Sequence, residues 1–168
     1  MPPGGAATPT TDLQFRADLH GELHACYKRA GDPYATLAHG HRWVSALVKA
    51  GHQRDGLQAL RELHNIDEDF KLDDPAAAVP LAKLALQDGD SELAVGLVDG
   101  FDRRFPGHPD MPLMYFLGAR LLSEHWRKHE KAAQMLRSII GHFGEHEVAA
   151  EAKAYLVALD ALIEPGKA

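Results

Sequence analysis

A chain of 168 residues, 45% hydrophobic and 25% charged, has the composition of an ordinary soluble protein and the length of one domain. Its formal charge of −6 and its want of a basic stretch argue against a general nucleic-acid binder, which carries the opposite sign. The single cysteine, Cys26, excludes an internal disulfide framework and a multi-cysteine metal site.

No run of about 18 apolar residues marks a membrane span. Residues Met1 to Thr11 lack the basic and apolar regions of a signal peptide, so a cytoplasmic location is expected. Alanine occurs 26 times and leucine 22 times, against 15 for valine, isoleucine and threonine together. Ala and Leu lose little side-chain entropy in a helix, and strands favour the β-branched residues that are scarce here. The expected fold class is all-α.

Residues 1–11, with three prolines and two glycines, read as a flexible tail or linker. The first helix is expected from Asp12 to Ala30. Its Phe15, Leu19, Leu23, Cys26 and Tyr27 form one apolar stripe, which makes Cys26 a buried, inert thiol. Gly31-Asp32-Pro33 ends it. The second helix runs from Pro33 to Ala50 and stops at Gly51. The third spans Arg54 to Asn65, with Leu57, Leu60 and Leu63 inward. A polar loop from Asp67 to Asp73 leads to Asp74-Pro75, a capping aspartate followed by proline at the first helical position.

The fourth helix runs to Gln87, with Pro80 straining its start. The turn Asp88-Gly89-Asp90 introduces a fifth, Ser91 to Phe105. Pro106-Gly107-His108-Pro109 is a strong break. The sixth helix, Met111 to His125, is apolar nearly all round and should be deeply buried. The seventh covers Lys128 to Phe143 and the eighth Glu147 to Ile163. Residues 164–168 read as a flexible end, leaving 12–163 as a single domain.

Shifting the sequence by 38 residues brings out an internal repeat. Gly51 falls on Gly89, and Gly56 on Ala94 and then Ala132. Leu60 falls on Val98 and then Leu136, Phe105 on Phe143, and His108 on His146. A small residue early in the second helix of each pair lets two backbones approach closely. The residue four later fills the groove between the helices.

These residues resemble the tetratricopeptide repeat family, whose usual period is about 34. Gly89-Asp90-Ser91-Glu92-Leu93-Ala94 matches its Gly-Asp-x-x-x-Ala turn. Pro106 stands at its inter-repeat proline, and Leu117-Gly118 matches its Leu-Gly pair. The turn from Glu124 to His129 lacks the glycine and is longer. The resemblance covers residues 33 to 162. It implies an α-α superhelix of antiparallel hairpins, with the last helix as a C-terminal cap. The chain is also similar to repeat domains at the cytoplasmic end of some bacterial membrane proteins, which implies tethering through a segment outside this sequence.

In that family the first helices of successive pairs line a concave groove. The resemblance therefore places His41, Ser45 and Lys49 there from one unit, Lys83 and Gln87 from the next, and Tyr115 and Ser123 from the third. The lysines with Tyr115 suit a carboxylate-bearing peptide. An ordinary solvated face is the plain alternative. The lysine-and-asparagine clamp of chaperone-tail binders is not reproduced. The expected function is a non-enzymatic binding module for a protein or peptide, with no cofactor, no nucleic acid and no membrane insertion.

Two further readings come from other features. Eleven histidines include the i,i+4 pairs His20/His24, His125/His129 and His142/His146, a spacing that can chelate zinc or nickel. The stretch from Glu124 to Glu130 lacks a protease motif, because Trp126 stands where H-E-x-x-H needs glutamate. Solvated or capping histidines are the simpler account. The other reading is a homo-oligomer formed through apolar surface on the first or last helix. Trp43 is expected in the core and Trp126 half exposed. No nucleophile elbow, phosphate-cradling loop or dinucleotide fingerprint occurs.

Overall fold

Capping residues decide where the helices begin. The Asp32 carboxylate accepts the Ala35 N–H at 3.0 Å, that of Asp74 the Ala76 N–H at 3.0 Å, and that of Asp90 the Leu93 N–H at 3.1 Å. Each satisfies an amide that the first helical turn leaves unpaired. A computed structural model describes residues 9–165. It is all-α, with no strand among those residues. The helices are α1 (Pro9–Arg29), α2 (Pro33–Lys49), α3 (Gln53–Ile66), α4 (Pro75–Gln87), α5 (Ser91–Val98), α6 (Phe101–Arg104), α7 (Met111–Glu124), α8 (His129–His142) and α9 (Val148–Ile163).

Two boundaries differ notably from the sequence reading. Residues 1–8 of the expected tail lie outside the described residues, as do 166–168 at the other end, while Pro9 already opens α1. The fifth expected helix is two. Gly100 takes a left-handed φ of 69°, which ends α5 and swings Phe101 into the core on the one-turn α6. A glycine inside an apolar helical pattern left that break open. By contrast, Pro80 does not interrupt α4. It is the sixth residue of the helix, so the amide it lacks is the one that would bond the Ala76 carbonyl.

The chain forms two compact units that divide after Leu84, within α4. In the first, α2 packs against both α1 and α3, and Val44, Leu57, Leu60, Leu63 and Leu81 are fully buried. In the second, α7 packs against α5, α6, α8 and α9. It is the most enclosed helix there, with eight of its fourteen residues buried. Phe101, Met114, Leu121, Leu136, Ile139 and Leu159 are buried with it.

A 38-residue period is visible in the local backbone. Helices α3, α5 and α8 start at residues 53, 91 and 129, after the cap residues His52, Asp90 and Lys128. The residue before each cap is left-handed: Gly51 at φ 85°, Gly89 at 76° and Arg127 at 56°. Gly56, Ala94 and Ala132 donate their amides to the three cap carbonyls at 2.9, 3.0 and 3.0 Å. All three are buried. His52 and Asp90 reach back to Leu47 and Ala85 carbonyls, both at 2.9 Å, whereas Lys128 reaches Leu122 at 2.7 Å, one residue farther. Arg127 thus stands in place of the glycine missing from the third turn.

The period continues past these helices. Amides of Phe70, His108 and His146 bond to the carbonyls of Asp67, Phe105 and Phe143. The His108 and His146 rings each accept the amide two residues on, Asp110 and Val148, both at 3.1 Å.

Helix α1 faces the opposite way from expectation. Ala17 and His24 are buried and Gly21 is half-buried, with Gly21 against the Trp43 indole of α2. Phe15, Leu19, Leu23 and Tyr27 face outward, between 65% and 37% exposed. Cys26 is exposed with them, not buried. Periodicity reveals that a stripe exists but not which side its neighbour takes. Small residues and flat imidazoles let α1 approach α2 closely, and that contact decided the rotation.

Candidate binding groove on the first unit

Helices α1 and α2 and the residues ahead of α4 enclose an open groove of about 470 Å³. Its wall on α2 carries His41, Ser45 and Lys49, one helical turn apart, together with Arg42. Arg16 and His20 face them from α1, and Asp73 and Asp74 close one end. The charges are unevenly matched. Arg16 bonds Asp12 at 3.0 Å, and His41 Nδ1 lies 3.2 Å from both the Asp73 carboxylate and the Asp73 amide. The His41 ring also tilts against Phe70, 4.5 Å between centroids, which fixes its orientation. Arg42 and Lys49 are exposed, and among the described residues neither has an ion-pair partner. The groove therefore offers two solvated cations, a hydroxyl and an oriented imidazole within one stretch of α2.

The other expected groove residues are elsewhere. Lys83 and Gln87 are exposed on α4, one turn apart. Tyr115 is half-buried in the second unit, where its hydroxyl lies 3.5 Å from Asp102. Burial, and then the Asp102 charge, push its pKa above the ordinary tyrosine value. Tyr115 lines a separate concavity of about 810 Å³ with Pro106, Pro112 and Phe143.

Ser123 is not a groove residue at all. It is 3% exposed, and its hydroxyl shares a 2.8 Å hydrogen bond with His129 Nδ1. The register explains this. The α7–α8 turn is one residue longer, so Leu122 matches Ala85 and Ser123 matches Leu86, which is buried, whereas the equivalents of Ser45 and Lys49 are Arg120 and Glu124.

The histidine pairs are engaged individually. His142 Nδ1 bonds the Ser138 carbonyl at 2.9 Å, and His146 caps Val148. His125 meets Trp126 edge-on, 5.1 Å between centroids. His125 is the C-cap of α7, whereas His129 opens α8. No group of three or more His, Cys, Asp or Glu among the described residues could hold a metal ion.

His20 and His24 instead belong to a seam that spacing alone did not reveal, because its third member, His39, lies on α2. His20 Nδ1 and His39 Nε2 are 2.9 Å apart. His24 is 4% exposed, stacks on Trp43 with centroids 3.9 Å apart, and lies 3.6 Å from the Glu62 carboxylate of α3. Burial is the main cause that lowers the pKa of all three imidazoles. Trp43 is half-buried in this seam, and Trp126 is exposed at the α7–α8 turn.

Among the described residues, no helix is long and apolar enough to cross a membrane. Neither a family model, nor a curated protein, nor a solved structure matches the chain.

Proposed function

We propose that the chain is a non-enzymatic binding module of tetratricopeptide-like helical hairpins that takes an acidic segment of a protein partner. The 38-residue recurrence of cap, left-handed residue and buried small residue supports the hairpin-repeat reading. One observation carries the binding reading: among the described residues, Arg42 and Lys49 stand in one groove without carboxylate partners, beside Ser45 and the oriented His41. A carboxylate entering there gains charge-assisted hydrogen bonds. At Arg42 and Lys49 it displaces no ion pair among the described residues. Because both cations remain solvated, charge contributes selectivity and association rate more than raw affinity.

Fluorescence anisotropy tests this with a fluorescein-labelled peptide of alternating glutamate and leucine, and its glutamine counterpart as control. Binding of the glutamate peptide should weaken as salt rises. It should fall at least about tenfold in the Arg42→Glu, Lys49→Glu double variant, a loss of about 1.4 kcal/mol. Equal binding of both peptides, or an unaffected double variant, rejects the proposal.

A further inference from the structure

Helix α1 is inside out by the usual rule. An amphipathic helix turns its large apolar side chains to the core, yet α1 gives α2 its Ala17, Gly21 and His24 and keeps Phe15, Leu19, Leu23 and Tyr27 for the solvent. These four recur at i, i+4, i+8 and i+12, so they form one contiguous ridge. An apolar ridge rimmed by charge marks an association surface.

Two features of the ridge indicate its occupant. The first is its order. Reversed, Phe15-Leu19-Leu23-Tyr27 again reads aromatic, leucine, leucine, aromatic. A second α1 laid antiparallel sets Phe15 against Tyr27 and Leu19 against Leu23, with both pairs generated twice by one axis. The second is charge. Asp12, Asp18 and Glu22 lie in the first two thirds of the helix, where Arg16 is already bonded to Asp12 and Asp18 accepts the Gln14 amide. Lys28 and Arg29 occupy the last turn. Antiparallel pairing brings each basic end beside an acidic end. Parallel pairing aligns like with like.

We infer that two copies of the chain associate through the outward face of α1, antiparallel about a two-fold axis that passes between Leu19 and Leu23. A single helix pair falls at the small end of specific interfaces, below about 1,200 Å², so the dimer is weak and reversible. This surface is distinct from the groove that carries the acidic-segment reading, and its test is independent of that reading.

Sedimentation velocity of the full chain, from about 1 µM to about 1 mM, should show a concentration-dependent rise in mean mass. Leu19→Glu and, separately, Leu23→Glu should abolish that rise while circular dichroism and the melting temperature stay unchanged. Both residues are exposed, so the monomer has little reason to unfold. Arg42→Glu with Lys49→Glu should leave the rise intact. Orientation is read in a Cys26→Ser background, by mixing a nitrogen-15-labelled Leu19→Cys chain with an unlabelled Leu23→Cys chain under mild oxidation. Mixed-mass disulfides should dominate. A chain monomeric throughout the range overturns the inference, as does a dimer indifferent to both glutamates. Same-mass disulfides in excess overturn it too.

Discussion

The imidazole of His24 lies flat on the indole of Trp43, 3.9 Å between ring centroids, and neither ring nitrogen of His24 makes a hydrogen bond within normal range. A buried imidazole in that position is comfortable only while neutral. Its neighbours reinforce this unequally. Lys28 and Arg42 disfavour charge in the seam, and Glu62 favours it at His24. Desolvation outweighs Glu62, so His20, His24 and His39 all titrate below their ordinary value near 6.5.

The sign of the pH dependence follows. Below about 6.5 the unfolded chain binds protons that the folded seam refuses, so stability falls with pH. The seam's contribution is complete above about 6.5 and is lost as pH drops through the lowered pKa values. Urea midpoints followed by circular dichroism should fall between about pH 7 and pH 5. His24→Phe, which keeps a flat ring on Trp43, should flatten that decline. A midpoint that stays level on acidification contradicts the seam.

Arg127 is the one non-glycine residue with positive φ among those described. The left-handed region costs a side-chain-bearing residue about 1–2 kcal/mol. Glycine relieves this but loses more entropy on folding, by about 0.5–1 kcal/mol. Arg127→Gly should therefore raise stability by up to about 1 kcal/mol. Gly51→Ala and Gly89→Ala should each lower it by about 1 kcal/mol or more, read from thermal unfolding.

The caps of α3, α5 and α8 are equivalent in place but not in chemistry. Asp90 bonds an amide through its side chain, whereas His52 and Lys128 do not. Asp90→Ala should cost about 1 kcal/mol, and Lys128→Asp should add a similar amount, partly from the favourable charge at the helix start. Denaturant titration of the two variants reads both changes.

Gly40 admits no side chain. A Cβ there would stand 2.5 and 2.7 Å from the methyl carbons of Leu63, which is fully buried. Gly40→Ala should destabilise by about 1–3 kcal/mol. Combined with Leu63→Val, the two losses should sum to less than their separate costs in a double-mutant cycle.

Helix positions were largely legible because capping aspartates, prolines and glycines act within a turn of themselves. The 38-residue recurrence was legible for the same reason, through Gly51, Gly89 and the small residues that follow. What escaped were consequences of packing. The rotation of α1 depends on His39 and Trp43, which lie in another helix, so its leucine stripe was assigned to the core and Cys26 with it. Ser123 was misplaced because the α7–α8 turn is one residue longer, which shifts the correspondence along α7. Of the candidate groove, His41, Ser45 and Lys49 were named through the register of the resembled repeat family, and one turn of α2 separates each from the next. Arg16 and His20 join them only through the folding of α1 onto α2.

The outward position of Cys26 gives this molecule a built-in handle. It is the only thiol in the chain, so a maleimide dye added to the native protein lands at one known place, on α1 close to Leu23 and Tyr27. No engineered cysteine is needed to report on the surroundings of that helix.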